Sequence, residues 1–173
     1  METYFCTHRT SESWVNFDHD QDANHRETEM SQKLYEQDFY AWTLQQAELL
    51  RSQTHQDLDW VNLAEELEDM GKNLKRELES RLKVLFAHLL KWQYQPSHRG
   101  HSWQYTIEEQ RNELADHLAD NPSLRSKLPE AIERGYRNAI VLATRETGLS
   151  KTSFPTECPW NAEQVLDSAF LPE

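Results

Sequence analysis

From Leu63 to Trp92 the apolar residues Leu67, Met70, Leu74, Leu78, Leu82, Leu85 and Leu89 recur at steps of three or four, and no proline interrupts them. With 3.6 residues per turn, that spacing returns every one of these side chains to one side of an α-helix, the side that packs against other helices. Gly71 lies inside the run and costs about 1 kcal/mol relative to alanine, so the pattern allows one kinked helix or two in line. Pro96 cannot supply the next backbone donor and ends the helix.

The rest of the chain must supply partners for this stripe. Tyr35, Phe39, Trp42, Leu49 and Leu50 predict a first helix that starts around Leu34 and ends near Ser52, followed by the polar turn SQTHQD. Trp103, Ile107, Leu114 and Leu118 mark another helix, with Ser102 as its expected N-cap and Asn121-Pro122 as its stop. PSLRSKL reads as a short helical turn, and Ile132, Tyr136, Ala139 and Ala143 define a fourth long helix ending at Gly148. The remaining SFPTECPWNAEQVLDSAFLPE contains three prolines and room for one short helix around Ala162 to Leu166. No strand period and no internal repeat occurs. The expected fold is therefore all-α, a helical bundle of four to five helices with a short C-terminal helix and an irregular Pro-containing tail.

Residues 1–29 follow no such period. They carry seven acids against two bases and are expected to be a disordered acidic N-terminal extension, with residues 30–173 as a single helical domain and Met1 and Met30 as alternative starts. Asp18, Asp20, Asp22, Asn24 and Glu29 match the ligand spacing of a calcium loop, yet Ala23 replaces the glycine that the loop's sharp turn requires, so the stretch reads as a solvated acidic tail. A net charge of −12 disfavours nucleic acid and anionic membranes, both of which require basic surface. No apolar run reaches the ~20 residues of a membrane span, and no secretory signal is visible. Cys6 and Cys158 lack metal-site spacing, so both read as free thiols in a cytoplasmic protein.

The segments LYEQDFYAW, DWVNLAEELEDMG, LFAHLLKWQYQP, SWQYTIEEQR, NPSL, ATRETGL, FPTECPW and the closing FLPE, taken in order, resemble the DUF29 family of bacterial proteins, common in cyanobacteria, over about residues 34–173. The resemblance implies a helical bundle and assigns no activity.

Two groups of residues are candidate sites. Arg81, His88, Gln110 and Glu146 fall on or beside apolar stripes of three helices, with Arg111 within reach, and inward polar groups are costly unless paired. They predict an internal network, either a buried ion pair that sets helix register or a ligand pocket. The second group is the corner HLLKWQYQPSHRGHSW, where Lys91, His98, Arg99 and His101 form the most basic spot, suited to an anion or to a partner's acids. Trp92 and Trp103 read there as core residues. His98 and His101 alone do not complete a zinc ligand set, and neither a metal nor any other cofactor is expected. Glu65, Glu66, Glu68 and Asp69 spread over more than one helix face and read as solvated.

No nucleophile motif, phosphate loop or Glu-x-x-His pair appears, so no catalytic residue is assigned. The expectation is a small cytoplasmic protein that binds another protein, of unknown identity and complementary in charge if basic. The alternative is a ligand- or metal-binding bundle with hydrolytic activity at the inward network. A contiguous apolar surface would favour the first, and a pocket where Arg81, His88 and Glu146 converge would favour the second.

Overall fold

The computed structural model describes residues 31–173, all helix and connecting turns, with no strand among them. The expectations for residues 1–29, including the acidic extension and the calcium spacing, lie outside the described residues. Helices α1 (described over residues 31–37), α2 (Phe39–Arg51), α3 (Trp60–Tyr94), α4 (His101–Asp120), α5 (Leu128–Thr147) and α6 (Ala162–Leu166) follow in order. Short 3-10 turns at His55–Asp57, Pro96–His98, Pro122–Lys127 and Lys151–Ser153 link them. No helix among the described residues is long and apolar enough to cross a membrane. By internal contacts the described residues form two compact units, divided between Leu67 and Glu68.

In the first unit, the single helix expected from Leu34 to Ser52 is instead two. Asp38 leaves the helical conformation (φ −147°) and its carboxylate accepts the Ala41 N–H at 3.0 Å, so this residue caps α2 where the apolar period suggested continuity. At the other end, Thr54 N donates to Leu49 O and Gln53 N to Leu50 O, with Gln53 in the left-handed region at φ 58°. That is a Schellman ending, in which glutamine occupies the position glycine usually takes.

The second unit is built on α3. Ion pairs fix the helix directions: Arg81 meets Glu113 of α4, while Lys75 and Lys91 meet Glu130 and Glu146 of α5. Together with Lys91 over Trp103, these pairs show that α4 runs antiparallel to α3 and α5 parallel to it. Leu78, Leu82, Leu85, Phe86, Leu89 and Leu90 of α3 are fully buried against Ile107, Leu114, Leu118, Tyr136, Ala139 and Ala143. Gly135 lets α5 approach α3 closely, since a Cβ there would lie 2.9 Å from Leu82 Cβ and 3.3 Å from Glu79 O.

The stripe read from the sequence is only partly interior. Leu67 and Met70 are 67% and 62% exposed, because α3 has 35 residues and its partners α4 and α5 have 20 each. The expected cap of α4 is also displaced by two residues: Gly100 holds that position in an extended conformation and Ser102 lies within the helix. Gly148 ends α5 at φ +73°, and the short helix Ala162–Leu166 carries an Asn161–Gln164 capping box.

Candidate functional site

The five inward polar residues occupy three separate places. Arg81 donates from Nε and Nη2 to Glu77 at 3.0 and 2.7 Å, and reaches Glu113 at 3.2 Å. The Arg81 hydrogen bond holds the Glu77 carboxyl below its usual range, while the buried His117 donates from Nε2 to Leu74 O at 2.9 Å. Gln110 shares an open groove of about 400 Å³ with Arg76, Glu77, Ser80, Arg81 and Val84. His88 and Glu146 are not among its lining residues.

Glu146 pairs instead with Lys91, a residue read from sequence as part of the basic corner. Lys91 Nζ lies 2.8 Å from Glu146 Oε2 and 4.7 Å from the Trp103 ring centroid, with its side chain 9% exposed against 33% for Glu146. The Lys91 hydrogen bond draws the Glu146 carboxyl below its usual range. His88 belongs to the same neighbourhood: its Nδ1 donates to Val84 O at 2.9 Å, and burial pushes its imidazole below the ordinary histidine range, with Lys91 adding to the effect. This arrangement suits an ion pair that fixes the register of α5 on α3. Glu146→Gln is therefore expected to cost about 1 kcal/mol of stability, because Lys91 stays buried without its counter-charge while the partly exposed carboxylate limits the loss. Urea unfolding should recover most of that cost in the Lys91→Met, Glu146→Leu double variant.

Arg111 is drawn elsewhere. Its guanidinium donates to the carbonyls of Val165, Ser168 and Phe170 at 3.0, 3.3 and 2.7 Å and so clamps the C-terminal segment onto α4. Among the described residues, no hydrogen bond or ion pair joins Arg81 to His88, Arg111 or Glu146, and no group of three or more His, Cys, Asp or Glu is placed to hold a metal ion.

At the corner, His98, Arg99 and His101 are exposed. Arg99 donates to Trp92 O at 2.8 Å and lies 5.3 Å from that ring's centroid, His98 contacts Ser97 Oγ, and His101 stands beside Tyr105. Trp92 and Trp103 are half-buried rings each faced by a cation, and not the core residues expected.

A feature the sequence reading missed lies within residues 31–67, where polar groups join Trp42 and Leu58 in the interior and several large apolar groups face out. Asp59 is buried and accepts from Ser31 Oγ, Trp42 Nε1 and Asn62 Nδ2 at 3.3, 3.3 and 2.7 Å, while its own N–H donates to the buried Gln46. Glu66 accepts from Tyr35 Oη at 2.6 Å. On the outside, Tyr40 and Leu44 of α2 are 73% and 54% exposed, on the face opposite the buried Trp42. On α3, Trp60, Val61 and Leu67 are 57%, 70% and 67% exposed. Trp60, Ala64 and Leu67 fall within about 60° of one another around α3, away from Asn62 and Glu66. The available signal was the i, i+4 pair Tyr40 and Leu44, a second apolar line that the first helix's stripe left over.

A family model described as a domain of unknown function, DUF29, matches residues 34–171. No curated protein and no solved structure matches the chain.

Proposed function

The chain belongs to the DUF29 family, and on that premise we propose that it is a cytoplasmic interaction protein, binding another protein through the outward apolar faces of residues 39–67. The family prescribes no activity, so the reading rests on one observation: large apolar side chains stand in solvent while Ser31, Gln46 and Asp59 share the interior of the same unit with only Trp42 and Leu58 as buried apolar residues. Each of Tyr40, Leu44, Trp60 and Leu67 would contribute up to about 1.5–3 kcal/mol on full burial, a gain that only a partner makes available. The free thiol of Cys158 accords with a reducing compartment. The alternative of a hydrolytic pocket needs Arg81, His88 and Glu146 to converge, and their side chains are engaged in different clusters.

The test compares the protein with its Tyr40→Gln, Leu44→Gln, Val61→Gln, Leu67→Gln variant, both immobilised and exposed to native lysate under cross-linking. A protein captured by the unaltered chain and lost from the variant is expected. Equal capture by both would overturn the reading.

A further inference from the structure

We propose that the first two turns of α3 are the docking site for a basic amphipathic helix of a partner protein, with Trp60 as the anchor. This deepens the interaction reading and rests on it.

Trp60 is exposed yet held. Its Nε1 donates to His55 O at 3.2 Å and its ring lies 6.5 Å from the His55 ring, so the indole is positioned before any partner arrives. A large aromatic residue that is already ordered loses little conformational entropy on binding, which is why such residues dominate interface energetics. Val61, Ala64 and Leu67 extend the apolar surface around and along the same helix for about 10 Å, at 1.5 Å per residue, enough to meet two turns of an apposed helix.

Charge selects the partner. Outside its interior, the stretch 31–67 carries Glu36, Asp38, Glu48, Asp57, Glu65 and Glu66 against only Lys33 and Arg51. The one ion pair of this unit among the described residues joins Arg51 to Glu48 at 3.7 Å. Glu65 follows Ala64 directly and is exposed, and Asp57 lies three residues before Trp60. A second copy of the chain would bring these acids against their own kind, and an anionic lipid surface or nucleic acid would be repelled in the same way. Lysine or arginine flanking an apolar stripe satisfies both features, pairing with the acids and stacking on the Trp60 face.

The probe is a fluorescent synthetic Leu/Lys amphipathic helix, measured by anisotropy against a Leu/Glu helix of the same pattern and a Leu/Lys peptide of shuffled order. The expected result is saturable, salt-weakened binding of the ordered Leu/Lys helix alone. Trp60→Ala, and separately Val61→Gln with Leu67→Gln, should each weaken it about tenfold or more, whereas Tyr105→Gln with Val141→Gln, exposed residues of α4 and α5, should leave it within about twofold. The second α3 variant preserves the Trp60–His55 hydrogen bond, so a fold defect in Trp60→Ala would not decide the outcome. Equal binding of the Leu/Glu helix, or binding indifferent to both α3 variants, overturns the proposal. If no peptide binds but the cross-linked capture described above still depends on the apolar residues, the partner class is wrong and the interaction reading stands. If neither depends on them, both fall.

Discussion

Arg111→Ala is expected to lower the unfolding free energy by about 3–5 kcal/mol and to open the segment after Phe154 to protease. Arg111 is 4% exposed and its guanidinium serves three main-chain carbonyls, of Val165, Ser168 and Phe170. Removing it strands the buried Val165 carbonyl and takes the charged donor from the part-buried Ser168 and Phe170 carbonyls, and each hydrogen bond to a charged group is worth about 1.5–3 kcal/mol, with incomplete additivity. Burial lowers the Arg111 pKa from its ordinary value, a sign that the charge sits in poorly solvated surroundings. Arg111→Lys should recover only part of the loss, because a single ammonium cannot match the geometry of a fork that spans three carbonyls. Urea denaturation gives the magnitude, and limited proteolysis followed by mass spectrometry locates the released segment.

Phe86→Ala should be comparably damaging, at about 3–5 kcal/mol. Phe86 is fully buried and joins three parts of the second unit: it meets Tyr136 of α5 edge-on at 5.6 Å and stacks on Trp160 of the tail at 6.3 Å. Trp160 in turn contacts Phe170, and Tyr136 donates its hydroxyl to Pro155 O at 3.0 Å. The cavity left by alanine would therefore remove the floor on which the FPTECPW segment rests, as well as the transfer free energy of the ring itself. Phe86→Leu, which keeps most of the volume, should cost less than half as much in the same measurement. A ratio near one would mean that the aromatic contacts, and not the filled volume, carry the site.

What could be read from the sequence was what periodicity controls. The stripe of α3, the helix carrying Ile107 and Leu114, the end of α5 at Gly148 and the short helix Ala162–Leu166 all follow from which side chains share a helix face. Periodicity cannot report how far along a helix its partners reach, and so Leu67 and Met70 looked interior although both are exposed. Nor does it report which inward group meets which. The stripe positions point Glu146 toward Arg81, but the parallel course of α3 and α5 delivers Lys91 to it, and Arg81 finds its carboxylates on its own helix and on α4. The period of α4 puts Arg111 on the flank of its apolar stripe, yet its partners are carbonyl oxygens, which every residue carries and no sequence pattern marks.

The reversal within residues 31–67 was hidden for a different reason. Asp38 reads as one more polar residue in a helical run until its carboxylate is seen capping Ala41 N, and the break it introduces resets which residues of α2 face inward. Gln46 and Asp59 then become interior through their mutual hydrogen bond, and Tyr40 and Leu44 are left outside. A polar interior of this kind is tolerated because its members satisfy one another.

The unfolding free energy of the Tyr40→Gln, Leu44→Gln, Val61→Gln, Leu67→Gln variant, measured in urea, tests most directly whether those side chains form a surface kept for a partner. If they face solvent in the free protein, the variant should be as stable as the unaltered chain within about 1 kcal/mol, since exposed helical positions accept glutamine with little penalty. A loss of about 4 kcal/mol or more would show that they are core residues, and would contradict the account.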